Sequence, residues 1–185
     1  TRHLFGMNTK GFNAVQQQKL TASDGANNDQ LGISVSLYED YALIGAYGDD
    51  SQKGSAYIFK YNGSTWIQQA KLTASDGSSG DIFGNAVSLY KDYALIGAFN
   101  DDNRGSAYIF KRNGSTWTQQ QKITANDAVH GDYFGFSVSL YKDYALIGSY
   151  RDNGSRGSGC IFKRNGNTWT QQKKLIDDSG SSSDH

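Results

Sequence analysis

Within 185 residues, eighteen Lys and Arg are matched by eighteen Asp and Glu, leaving room for one domain with a sizeable core and no long-range positive field for a phosphate backbone. That balance excludes nucleic acid as an expected partner, and no apolar run nears the roughly 20 residues that a membrane-spanning helix requires. Aromatic residues make up 13%, twelve of them Tyr, and 22 Gly stand beside no Pro, a β composition whose turns must be made by Gly, Asn, Asp and Ser.

Residues 1–30 read as a half-unit. The segment HLFGMNTKGFNAVQQQKLTASDG (3–25) aligns with AYIFKYNGSTWIQQAKLTASDG (56–77), with Phe12 near the Trp position and Lys19-Leu20 over Lys71-Leu72. This predicts the outer hairpin of a preceding unit followed by a connecting loop.

The first full unit, 31–81, carries four strand signals. ISVSLY (33–38) alternates apolar and small polar residues with period two, and Glu39-Asp40 joins it to 41–47 as a hairpin. GSAYIFK (54–60) then leads through Asn62-Gly63, a dipeptide that tolerates positive φ at both central turn positions, into 65–72. Units 82–132 and 133–176 repeat the pattern, with Asn113-Gly114 and Asn165-Gly166 at the second turn. Residues 177–185 (DDSGSSSDH) are small and polar and read as a flexible tail or linker. Lys19, Lys71, Lys122 and Lys173 mark the register at spacings of 52, 51 and 51 residues, and Gly45, Gly97 and Gly148 at 52 and 51. No helical periodicity is present.

A period of about fifty residues with four antiparallel strands is the signature of a β-propeller blade, a small twisted sheet that hides its faces against neighbouring blades. The fold expected is therefore all-β, with about three and a half blades per chain. That number does not close a common ring, so the chain belongs to a longer protein or associates with other copies.

At these residues the chain resembles the FG-GAP repeat family, the blades of integrin α-subunit propellers and of many secreted repeat proteins. Phe83-Gly84 and Phe134-Gly135, with Leu31-Gly32 in the first unit, give the FG element. Gly45-Ala46-Tyr47, Gly97-Ala98-Phe99 and Gly148-Ser149-Tyr150 give the GAP element without its proline. The GSAYIF and W-x-QQxKLTASDG segments resemble the subgroup of large bacterial and protist surface proteins. The resemblance implies an extracellular, seven-bladed propeller used in adhesion or protein binding. It also implies calcium in a D-x-D-x-D-G loop between the first two strands. Here that connection is only Glu39-Asp40, Lys91-Asp92 or Lys142-Asp143, so this site is not carried over.

Two acidic loop families remain. Between units stand Asp24 and Asp29, Asp76 and Asp81, and Asp127 and Asp132; carboxylates and carbonyls of such a loop suit a hard cation, calcium by preference. Asp49-Asp50, Asp101-Asp102 and Asp152, between the second and third strands, read as Asx turns that end strands. Trp66, Trp117 and Trp169, one per unit, serve either as packing between blades or as stacking platforms for sugars. Asn62, Asn113 and Asn153 fit the N-glycosylation pattern, which acts only in a chain secreted by a eukaryotic cell; turn chemistry alone explains the first two.

Catalytic constellations are lacking: His3, His130 and His185 do not repeat, Cys160 is alone, and the carboxylates recur equally in every unit. The function expected is an extracellular structural or adhesive module that meets a protein partner or further copies of itself, with no cofactor beyond calcium. The alternative is a carbohydrate-binding propeller.

Overall fold

Strands with alternating side chains fold by pairing with their neighbours in sequence, since each hairpin connection here is short. In the computed structural model, which describes residues 16–177, this gives three four-stranded antiparallel sheets. Blade 1 holds β1 (Val35–Tyr38), β2 (Tyr41–Ala46), β3 (Ser55–Tyr61) and β4 (Trp66–Leu72). Blade 2 holds β5 (Phe83–Tyr90), β6 (Tyr93–Ala98), β7 (Ser106–Asn113) and β8 (Thr116–Ile123). Blade 3 holds β9 (Phe134–Tyr141), β10 (Tyr144–Ser149), β11 (Ser158–Asn165) and β12 (Thr168–Ile176). In each sheet the strands lie side by side in chain order, and three blades leave the ring open.

The run Ala-Leu-Ile in the second strand lacks polar alternation because both of its faces are covered. All six residues of β2 and of β6 are buried. One core joins blades 1 and 2, where Tyr41, Leu43 and Ile58 meet Val87, Leu89, Ile96 and Phe110. A second joins blades 2 and 3, where Tyr93, Leu95 and Ile109 meet Leu140, Ile147 and Phe162. Full burial of side chains of this size is worth about 1.5–3 kcal/mol each, so the seams between sheets hold most of the apolar stabilisation.

The FG and GA dipeptides meet at these seams. A Cβ on Gly97 would lie 2.0 Å from the carbonyl oxygen of Gly135, and one on Gly45 would lie 1.9 Å from that of Gly84. Gly84 and Gly135 also have φ of +91° and +90°, a conformation open to glycine. The glycines thus allow one blade's backbone to touch the next, with Phe83 and Phe134 fully buried beside them.

Three details depart from the sequence reading. At the second hairpin, Asn113 pairs with Thr116, so the central turn residues are Gly114-Ser115; only Gly114, at φ +63°, takes a positive φ, as a type II′ turn requires. The first hairpin, by contrast, places a non-glycine residue at positive φ in every blade, at Glu39, Lys91 and Lys142. Finally, the lysine equivalent to Lys71 and Lys122 is Lys174, not Lys173. Lys71, Lys122 and Lys174 stand opposite Tyr57, Tyr108 and Cys160, because the connection 150–157 is one residue longer than its counterpart 99–105.

Residues 1–15 of the expected half-unit and the tail 178–185 fall outside the described residues. From residue 16 the chain lies across blade 1, where Leu20, Ala22 and Leu31 pack on Ala42 and Ile44 of β2 and Tyr57 and Phe59 of β3, the two middle strands.

Candidate functional site

The repeated polar residues converge on the seams. At the end of β4, Lys71 Nζ lies 2.6 Å from Asp24 of the preceding loop and 2.6 Å from Asp49 of the β2–β3 connection. The Tyr57 hydroxyl donates to Asp24 at 3.0 Å, and the Ser55 hydroxyl donates to Asp49 at 2.5 Å. Lys122 repeats this with Asp76 at 2.7 Å, Asp101 at 2.6 Å and the Tyr108 hydroxyl. Lys174 repeats it with Asp127 at 2.7 Å and Asp152 at 2.5 Å, but Cys160 stands where the tyrosine would.

Each ammonium ties an interblade loop to the blade that follows it. Hydrogen bonding to Lys71 holds the Asp24 carboxyl below its ordinary range. Burial would raise Asp49, but Lys71 and Ser55 overcome it and leave it lowered. Burial pushes the Tyr57 hydroxyl up to about 12 and the Cys160 thiol up to about 11. The other three loop aspartates do different work. Asp29, Asp81 and Asp132 are buried and accept the backbone N–H of Ala26, Ser78 and Val129 at 2.6, 2.6 and 2.8 Å. The two aspartates of each expected calcium loop therefore have separate partners, a lysine and a backbone amide. Among the described residues no three His, Cys, Asp or Glu side chains converge as a metal site.

Glutamines supply a second set of ties that the sequence reading missed. A bulge in the fourth strand leaves Gln69 and Gln120 unpaired with the third strand and turns successive glutamines to different sides. Gln68 and Gln119 reach back to Ser23 and Ser75 of the preceding loop, at 2.8 and 2.9 Å to the amides. Gln18 and Gln121 reach forward and grip the backbone of Trp66 and Trp169 through both amide atoms, at 2.8–2.9 Å. The only sequence signal for this was the recurrence of the QQ pair. At the inner rim, Ser36 and Ser88 accept the amides of Leu89 and Leu140 at 2.9 Å, each from the next blade.

Trp117 and Trp169 are buried edge-on against Tyr41 and Tyr93 of the preceding blade, at centroid distances of 6.3 and 6.1 Å. Trp66 is half-buried beside Tyr61 and Gln18 in a cleft of about 200 Å³. Asn62, Asn113 and Asn153 are all exposed. At the first hairpin, where the resemblance places calcium in related blades, Arg112 pairs with Asp92 and Arg164 with Asp143.

What the seams bury, the ends leave bare. Val35 and Leu37 of β1 are each 68% exposed, whereas their equivalents Val87 and Leu89 are 8% and 5% exposed. On the far face of blade 3, Tyr144, Leu146 and Leu175 are exposed where Tyr93, Leu95 and Ile123 are buried. The geometry is that of stacked sheets whose outermost faces call for another protein surface.

Comparison with known proteins agrees with this architecture. A sequence model of the FG-GAP repeat matches residues 14–59, 66–110 and 117–162, the second and third matches running from the fourth strand of one unit to the third strand of the next. Human integrin alpha-D is 26% identical over 125 residues, covering 66% of this chain; the match spans 11% of that protein. The stacked four-stranded sheets, the FG and GA glycines meeting at each seam and the threefold match together make this chain a member of the FG-GAP repeat family.

Proposed function

We propose that the chain is an extracellular structural or adhesive module that joins protein neighbours flank to flank, further copies of itself included. One observation carries the reading: the face of blade 3 that includes Tyr144, Leu146 and Leu175 is bare, while the same face of blade 2 is closed by a blade. Apolar patches of this kind on a folded chain mark protein contact. Interblade contact supplies a ready chemistry for it, since Tyr93 and Leu95 show what such a face accepts. Light scattering over a range of concentrations tests the copy-to-copy version. Mass should rise with concentration, and Leu146→Glu, at an exposed position, should return the chain to a monomer without unfolding it. A single mass at every concentration would remove self-association and leave a different protein as the neighbour.

Calcium at a loop pair such as Asp24 and Asp29 would have to displace the Lys71 ammonium and the Ala26 amide that the two carboxylates hold, so EDTA should leave the melting temperature unchanged at neutral pH. The carbohydrate-binding alternative rests on Trp66, the one tryptophan of the three with an open ring beside a cleft. Glycan binding lost on Trp66→Ala would support it. Glycans on Asn62, Asn113 and Asn153 would change the intact mass on glycosidase treatment.

A further inference from the structure

The repeats are not equal at the loop end of the seam between blades 2 and 3. There Phe99, Tyr133, Phe136 and Tyr150 form one aromatic cluster, with centroids 5.6 Å apart for Phe99–Tyr133, 5.3 Å for Phe99–Phe136 and 4.4 Å for Phe136–Tyr150. Tyr133 and Tyr150 stack at 5.6 Å and 18°, and the Arg151 guanidinium lies over both rings at 5.0 and 5.5 Å. At the seam between blades 1 and 2 the same positions hold Tyr47, Ile82, Asn85, Phe99 and Asn100. Three positions have therefore changed in one place, each toward an aromatic ring or a guanidinium. Asn153 also replaces the Asp50 and Asp102 of the other units, which makes this loop the more positive one.

Packing alone does not account for the cluster, because Phe136 and Tyr150 remain 41% and 42% exposed. Nor does the missing neighbour account for all of it. Phe99 has a blade beyond it and is still only half-buried. Arg151 makes no ion pair among the described residues, and a guanidinium held beside aromatic rings can still direct N–H donors at a carboxylate. Tyr and Arg are the residue types that dominate binding energy at protein interfaces. Phe136 and Tyr150 are in contact, with centroids 4.4 Å apart and planes at 50°, and their exposed sides form one apolar patch next to Arg151.

We infer that this cluster is a binding site for a protein segment carrying an Asp or Glu beside an apolar side chain, the carboxylate on Arg151 and the apolar group against the exposed sides of Phe136 and Tyr150. Tyr150 holds the position at which Phe99 meets the next blade, so the site borders the bare flank of blade 3, and Leu146→Glu, on the flank itself, separates the failure of one proposal from that of the other.

The test is an array of synthetic heptapeptides, each with one Asp or Glu next to Leu, Phe or Trp, probed with the full chain, with retained peptides titrated by fluorescence anisotropy. Arg151→Asn and Phe136→Asn install the residues that the blade 1–2 seam already tolerates, so folding, checked by circular dichroism, should be kept. Binding should weaken about tenfold with Arg151→Asn and again with Phe136→Asn, and amide analogues of the acidic peptides should bind as weakly as the Arg151→Asn variant does. Unchanged affinity in both variants, no retained acidic peptide, or retention of acidic glycans in place of peptides would overturn the assignment. Leu146→Glu, which tests the flank, should leave peptide binding unaltered.

Discussion

The strands β6 and β10 differ in one residue of six, yet β6 is buried at every position and β10 at alternate positions only. Tyr93 and Leu95 are 9% and 0% exposed, Tyr144 and Leu146 47% and 44%. A blade strand is written for two apolar faces, and each face is closed by a different neighbour. Blade 2 has both neighbours and blade 3 has one. The contrast shows that burial in this fold belongs to the seam, and that a repeat's sequence states what it needs without supplying it.

The contrast can be broken by truncating equivalent residues. Leu95→Ala should cost about 3 kcal/mol in a denaturant melt and Leu146→Ala below about 1, as expected of a buried and a half-exposed leucine. Equal costs would mean that a neighbour covers blade 3 in solution. Next comes Gly97→Ala, where the added Cβ meets the Gly135 carbonyl oxygen at 2.0 Å and a loss of about 2–3 kcal/mol is expected. At Gly148 the nearest atom is the Ser137 hydroxyl at 2.3 Å, which can rotate, so Gly148→Ala should lower stability by less than about 1 kcal/mol.

The lysine ties set the pH range. Asp24, Asp49, Asp76 and Asp152 titrate below 3.8 in the folded chain, so their contribution is complete above the unfolded value and fades as pH falls through the lowered ones. Asp81, raised by burial, works in the opposite sense and blunts that limb. Lys71, Lys122 and Lys174 titrate above 10.5 and Tyr57 at about 12, contributions whole below the unfolded values and lost as pH climbs through the raised ones. Melting temperature should be level from about pH 5 to 9 and fall on either side. Within the plateau, Lys122→Met, which leaves Asp76 and Asp101 facing each other, should cost about 2 kcal/mol.

The smallest effect separates the two buried tryptophans. Trp117 Nε1 donates to Gln69 at 3.2 Å, whereas Trp169 Nε1 and the equivalent Gln120 Oε1 are both buried without a partner. Trp117→Phe should therefore be more costly than Trp169→Phe, by about 1 kcal/mol. Equal costs would show that the second pair closes in solution.

Much of this was legible in the chain. Period-two patterning, Asn-Gly turns and the lysine register located the strands of each blade, and FG and GA marked the family. The meaning of those glycines was not legible, because Gly97 and Gly135 meet only when two sheets stack. Lys173 looked equivalent to Lys122 by spacing, but a one-residue insertion in a loop moves the register without altering the strand, and only the ladder opposite Cys160 identifies Lys174. Nor could the chain show that Asp24 takes Lys71 while Asp29 takes a backbone amide, because in sequence the two aspartates are close together and Lys71 is far away.

Sequence by itself determined the repeat, the strand count of each blade and the demand for lateral neighbours, since these follow from local pattern and a strict period. Tertiary structure alone decided which residues meet across a seam, which aspartate takes a lysine and which an amide, where aromatic rings gather around Arg151, and which faces stay bare. Those are contacts between segments about fifty residues apart, and their partners are fixed by how sheets stack, a relation that no stretch of the chain encodes alone.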